Sequence, residues 1–197
     1  MLNIGVLISG VGTNLQAIID ETKSGGIKGT VKLVISNKED AYGLERARVS
    51  KIKAVYETDE DKIIELLKEN NIDLIVLAGY LKIITPKFVD EFRNKIINIH
   101  PSLIPSFCGK GYYGEKVHKG VIDYGAKVTG ATVHFVDEGA DTGAIIMQET
   151  VNVEQDDDAK SLAKRVLEVE HRILKESIRL FCENKLSIQG RRVFINE

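Results

Sequence analysis

Across its first hundred residues the chain alternates short apolar runs with amphipathic stretches, and this alternation limits the possible folds more than any other feature. Residues 4–8, 31–35, 54–56, 74–78 and 96–99 read as strands, and residues 14–23, 42–50, 59–70 and 86–92 as the helices between them. A strand, a helix and a second strand in that order close a right-handed crossover, and a series of crossovers builds a parallel sheet covered on both faces. Strands in such a sheet are buried on both sides and therefore apolar nearly throughout, as these are. The predicted fold class is α/β: an open, mostly parallel twisted sheet with helices on both faces.

The second half is built differently. Residues 101–113 read as a loop rich in Pro and Gly, residues 114–123 as a short helix, and residues 128–136 and 144–153 as two strands joined by a Gly-rich acidic turn. A long helix is predicted over residues 158–182, with a small terminal hairpin after it, 186–188 with 193–195, around Gln189-Gly190. No repeat, low-complexity tract or linker interrupts the 197 residues, so a single domain is expected.

Composition excludes several classes of function. Lys and Arg total 27 against 29 Asp and Glu, so no basic excess exists to neutralise a phosphate backbone, and no nucleic-acid partner is expected. Two cysteines, Cys108 and Cys182, without a C-x-x-C pair give neither a disulfide framework nor a zinc site. There is no basic, apolar leader and no apolar run near the roughly 20 residues that cross a bilayer. A soluble, cytoplasmic protein with no membrane partner is expected.

Ser9-Gly10-Val11-Gly12-Thr13-Asn14 comes directly after the first strand and opens the first helix. Glycines let a ligand approach the backbone, and the free N–H groups of a helix N-terminus attract anions, so the turn suits a phosphate. A dinucleotide does not fit: Leu15 stands where the G-x-G-x-x-G fingerprint has its third glycine, and Ser36-Asn37 where it has an acid. A plain turn, with Thr13 or Asn14 capping the helix, is the alternative.

Asn98-Ile99-His100-Pro101-Ser102-Leu103-Ile104-Pro105 is the most informative stretch. Strand side chains alternate, so Asn98 and His100 share a face, at the strand end where open α/β sheets bind ligands. Pro101 and Pro105 stiffen the loop beyond the strand. An amide beside an imidazole can stabilise an oxyanion and move a proton. The alternative is a strand end whose Asn and His bond the loop backbone. In Asp137-Glu138-Gly139-Ala140-Asp141-Thr142-Gly143, three acids come after a strand that carries His134. A carboxylate brought near His100 would raise its pKa and orient it; the alternative is a solvated acidic turn. A metal site from His100, His118, His134 and these acids has no supporting ligand spacing. On the 158–182 helix, Glu170 lies in the middle of the apolar sector. A carboxylate there is costly unless paired or beside a ligand, and a buried Arg partner or a loop cap is the alternative to ligand contact.

Together, Gly12-Thr13-Asn14, Asn98-x-His100-Pro101-Ser102-Leu103-x-Pro105, Asp141 in its Gly-flanked turn, and Glu170-His171 resemble, in order along nearly the whole chain, the phosphoribosylglycinamide formyltransferases of purine biosynthesis. The resemblance implies a Rossmann-like formyltransferase fold. Its first hundred residues would form a phosphate-binding half, and residues 101–197 would carry the catalytic loop, the folate-pocket strands and the C-terminal helix. It implies that Asn98, His100 and Asp141 are catalytic. It also implies that Gly12, Thr13, Asn14, Pro101 and Glu170 bind glycinamide ribonucleotide, the first three at its phosphate and Glu170 at its ribose. Leu81, Lys82, Ile83 and Ile84, with Asp137, Glu138, Gly139 and Ala140, would form the pocket for the co-substrate 10-formyltetrahydrofolate, with no metal required. The family includes monomers and homodimers. Two segments depart from it: residues 107–117 are longer than in many members, and residues 58–62 are shorter, without an evident basic residue for the folate tail.

Three rival activities are weighed against this. Methionyl-tRNA formyltransferases share Asn-x-His-Pro-Ser-Leu but usually carry an additional C-terminal nucleic-acid-binding domain, for which this chain has neither length nor basic charge. Formyltetrahydrofolate deformylases usually begin with a regulatory domain, where here catalytic-type sequence starts at Met1. A non-catalytic nucleotide-binding module would use the Gly10–Asn14 turn alone. Neither Ser102 nor Cys108 has an adjacent base to make it a nucleophile.

Overall fold

The computed structural model describes residues 1–196. Its strands are β1 (Leu2–Ile8), β2 (Gly29–Ser36), β3 (Lys53–Tyr56), β4 (Leu74–Leu77), β5 (Ile96–His100), β6 (Val128–Phe135), β7 (Ile145–Asn152), β8 (Leu186–Gln189) and β9 (Arg192–Ile195). The helices are α1 (Thr13–Ser24), α2 (Tyr42–Val49), α3 (Glu60–Glu69), α4 (Pro86–Glu91), α5 (Glu115–Tyr124) and α6 (Ala159–Cys182). The strands form one sheet in the order β3-β2-β1-β4-β5-β6-β7-β9-β8. Pairing is parallel from β3 to β5, antiparallel for β5 with β6 and β6 with β7, parallel again for β7 with β9, and antiparallel for β9 with β8. The open, mostly parallel sheet is therefore as predicted. Strand and helix limits agree with the predicted ones closely throughout, and the largest differences are the earlier starts of β1 and β2.

The helices begin where local chemistry starts them. The Asp59 side chain accepts from the backbone N–H groups of Asp61 and Lys62 ahead of α3, and Thr85 caps α4 with Pro86 in its first turn. Asp158 and Ser161 exchange side-chain and backbone bonds ahead of α6. Apolar side chains fill both faces of the sheet. One layer holds Ile4, Val6, Leu15, Ile18, Val166 and Ile173 under α1 and α6; the other holds Leu7, Leu33, Ile63, Leu67 and Phe88 under α3 and α4. Among the described residues no helix is long and apolar enough to cross a membrane.

The terminal hairpin does not stand apart. Strand β9 meets β7 in parallel at Ile145 and Arg192, so the tail extends the sheet and covers an edge that would otherwise present unpaired backbone groups. What positions the site is the strand order. The chain runs outward from β1 through β2 to β3 and then returns past β1 to β4, and this reversal of strand order opens a crevice at the carboxyl ends of β1 and β4, with β5 beside it.

Candidate active site

At the end of β1, Gly12 is the N-cap of α1 and is left-handed, with φ 76°. A Cβ there would lie 2.8 Å from the Cα of Gly43, which donates its N–H to the Gly10 carbonyl at 3.1 Å. Gly12 thus answers two demands, a backbone conformation and a close approach between the turn and α2. Gly12→Ala is expected to lower unfolding free energy by about 2 kcal/mol or more, from a left-handed penalty of about 1–2 kcal/mol and added overpacking. Urea unfolding measures it; a change within about 0.5 kcal/mol, ordinary for a surface substitution, would contradict the assignment.

Neither Thr13 nor Asn14 caps α1 with its side chain, and the N–H groups of both residues have no acceptor among the described residues. The first turn is left open to an anion. Asn14 instead turns inward, 8% exposed, and its Nδ2 donates to Glu170 Oε2 at 2.8 Å. The Asn14 Oδ1 is buried without a partner among the described residues. Burial pushes the Glu170 carboxyl above its ordinary pKa, against the opposing Asn14 hydrogen bond. Its partner is this amide rather than a buried Arg.

The second group lies at the end of β5. Antiparallel pairing sets Asn98 opposite His134 and His100 opposite Thr132. Asn98 and His100 do project to one side, and both reach Asp141. Its Oδ1 lies 3.4 Å from Asn98 Nδ2, and its Oδ2 lies 3.6 Å from His100 Nδ1. Asp141 is itself left-handed, with φ 59°, and Gly109 N–H donates to its Oδ2 at 2.8 Å. This is an uncommon backbone state for a side chain other than Gly, although Asp tolerates it better than most. It turns the carboxylate back under the strand ends.

The backbone fixes both imidazoles. His100 Nε2 lies 3.0 Å from the Phe107 carbonyl. A carbonyl only accepts, so Nε2 carries the hydrogen and Nδ1 offers a lone pair beside Asp141. His134 Nδ1 donates to the Phe135 carbonyl at 2.7 Å, which leaves its Nε2 to accept from Asn98 Nδ2 at 3.1 Å. One Asn98 N–H is thereby held by His134, and the other makes only the long contact to Asp141.

A carboxylate beside His100 was expected to raise its pKa. Asp141 does pull it upward, as does the Phe107 carbonyl, but burial outweighs both and leaves it below the ordinary histidine value. For Asp141 the balance runs the other way. Burial raises its carboxyl, but the His134 ring, the nearby His100 and the Gly109 N–H together bring it below the usual range. Both directions favour a neutral imidazole beside an ionised carboxylate at neutral pH.

A cavity of about 370 Å³ opens over this group, within the usual size of small-molecule sites. Leu81, Lys82, Ile83 and Ile84 line it together with Asp137, Glu138, Gly139 and Ala140, and so do Asn98, His100, Pro101 and Asp141. The side chains of two of these residues turn elsewhere: the Lys82 ammonium donates to the Thr58 carbonyl at 2.7 Å, and Glu138 pairs with Arg93 at 2.6 Å. Gly12, Thr13, Asn14 and Glu170 do not line this cavity. The turn is tied to its wall by Ser9, which donates its N–H to the Gly79 carbonyl and accepts the Leu81 N–H on its hydroxyl at 2.8 Å.

Sequence reasoning missed the parts played by His134 and Ser9, and also Tyr112 and Tyr113, which line the cavity from the 109–114 loop. Only strand register brings His134 opposite Asn98; its place before the acidic turn was the sole signal. Ser102 and Cys108 have only backbone carbonyls as side-chain partners among the described residues. The Ser102 hydroxyl donates to the Ser106 carbonyl, and burial pushes the Cys108 thiol up.

Residues 2–178 match the formyl transferase family model. The chain belongs to the formyl transferase family. Within it, the chain goes with the phosphoribosylglycinamide formyltransferases. It is 42% identical to the phosphoribosylglycinamide formyltransferase of Haemophilus influenzae, with 100% of this chain and 94% of that protein aligned. It is 41% identical to the chloroplastic phosphoribosylglycinamide formyltransferase of Vigna unguiculata over 93% of this chain, and spans 62% of that relative's length. The fold superposes on glycinamide ribonucleotide transformylase 1 from Symbiobacterium toebii with a TM-score of 0.94 and 45% identity, covering 100% of this chain and 95% of the other.

Proposed function

We propose that this chain transfers the formyl group of 10-formyltetrahydrofolate to the amine of glycinamide ribonucleotide, a step of purine biosynthesis. One observation carries the proposal: Asn98, His100 and His134 converge on the Asp141 carboxylate, at 3.4, 3.6 and 3.6 Å, beside a cavity of about 370 Å³. The activity is that named for its full-length relatives. Its lining combines the apolar residues Leu81, Ile84 and Val136 with residues 137–141, a mix that suits a largely apolar ring system with polar edges. The co-substrate supplies the activated formyl carbon; its bond to the folate nitrogen breaks as the bond to the glycinamide nitrogen forms, and one proton passes from the second nitrogen to the first.

The residues divide that work. The His100 Nδ1 lone pair takes the proton from the attacking amine, and the imidazolium so formed pairs with Asp141. It returns the proton to the departing nitrogen. The Asn98 N–H that makes only a 3.4 Å contact to Asp141 exchanges it for the developing oxyanion, while His134 holds the other N–H and with it the orientation of the amide. Gly12, Thr13 and Asn14 receive the phosphate and Glu170 the ribose. The reading carries with it a cytoplasmic protein acting on small molecules, as a monomer or homodimer.

Incubation with 10-formyltetrahydrofolate, monitored by folate absorbance, tests it. Conversion is expected only when glycinamide ribonucleotide is present. Conversion without the acceptor would mean hydrolysis, and no conversion under either condition would leave a nucleotide-binding module.

A further inference from the structure

The open first turn of α1 supplies partial charge to a phosphate but no formal charge. A full positive charge stands beside it on α2. Arg46 donates through Nε to the Val11 carbonyl at 2.8 Å and through Nη1 to Gln16 Oε1 at 3.3 Å, and its guanidinium carbon lies 5.0 Å from the Tyr42 ring centre. Its Cδ would be 3.5 Å from a Cβ on Gly12. The side chain is thus wrapped around the N-cap of α1 and anchored on both sides of it.

Three features separate Arg46 from an ordinary surface arginine. It is only half-exposed, and no carboxylate lies within 4.0 Å of it among the described residues, whereas Arg48 on the same helix pairs with Glu45 at 3.5 Å. The packing that delivers it is specific: the Gly12–Gly43 approach and the Gly43-to-Gly10 bond fix α2 against the turn. The remaining guanidinium nitrogen, Nη2, makes no bond among the described residues, next to a helix start whose Thr13 and Asn14 N–H groups are also open. An arginine held in this way meets a phosphate with little further loss of side-chain freedom.

We infer that Arg46 is a specificity-determining residue that supplies the charged contact to the phosphate of the nucleotide substrate and so lets the site tell a nucleotide from the corresponding nucleoside. The inference rests on the proposed function. Its own content is the contribution of one side chain to phosphate discrimination.

The test compares glycinamide ribonucleotide with its dephosphorylated riboside in the full-length chain and in Arg46→Gln and Arg46→Lys variants. In Arg46→Gln, KM for the nucleotide is expected to rise about 10- to 100-fold, the range for losing a hydrogen bond to a charged group. KM for formyl-folate, and kcat/KM for the riboside, stay within a factor of about two by this reading, and Arg46→Lys recovers part of the loss. A purely structural role would lower both acceptors together. Equal losses on the two acceptors, or an unchanged nucleotide KM in Arg46→Gln, would overturn the inference and leave formyl transfer untouched. If no formyl transfer occurs in any variant, the proposed function has failed, and titration with ribose 5-phosphate still decides: weaker binding by Arg46→Gln supports the inference, and equal or absent binding in both proteins overturns it.

Discussion

His100→Ala is expected to lower the turnover number of formyl transfer by about 10²–10⁴-fold, the range for removing a positioned general acid–base, with KM for either substrate changed far less. The pH dependence gives a sharper check. His100 acts from its neutral form, so kcat/KM is level above its pKa and falls as pH drops through it. Burial holds that pKa below the ordinary 6.5 even with Asp141 nearby. The acid limb is therefore expected to have its midpoint under 6.5. Asp141 pulls the pKa upward, so Asp141→Asn moves the limb to still lower pH while also reducing kcat, because the imidazolium formed during the reaction loses its counter-charge. An acid limb centred above about 7, beyond the ordinary histidine value, or one that moves up in Asp141→Asn, would refute the role given to this pair.

Asn98→Ala is expected to reduce kcat by about 10²–10³-fold, the cost of removing one oxyanion donor, with KM for the nucleotide little altered. Both its N–H groups are occupied in the free protein, by His134 Nε2 at 3.1 Å and Asp141 Oδ1 at 3.4 Å. Only the longer bond is exchanged for the oxyanion. The amide is thus pre-aligned, and the donor reaches the transition state without a search for its rotamer. Steady-state kinetics with both substrates saturating would decide it, and near-normal turnover in Asn98→Ala would remove the residue from the mechanism.

Much of the fold could be read from local pattern. The apolar runs 31–35 and 74–78 and the helices between them needed only hydrophobic periodicity, because strands covered on both faces admit little else. The catalytic strand was legible because alternation places Asn98 and His100 on one face whatever surrounds them. Less local features were not. Asp141 belongs to a turn with three acids, and the choice among them depends on its left-handed backbone and on Gly109 reaching its Oδ2 from a distant loop. The buried partner of Glu170 is Asn14, on the first helix, where an arginine was the anticipated alternative.

The chain by itself determined which side chains exist to do chemistry, and through their 2.0 and 3.6 periodicities which of them face together within one element. Tertiary structure decided what each one meets across elements. Strand register set His134 opposite Asn98 and so chose the amide's orientation. Burial in the folded chain lowered the pKa of His100, where the desolvation of a buried imidazole exceeds the attraction of a carboxylate 3.6 Å away. Burial is a property of the assembled molecule, and no stretch of sequence states it.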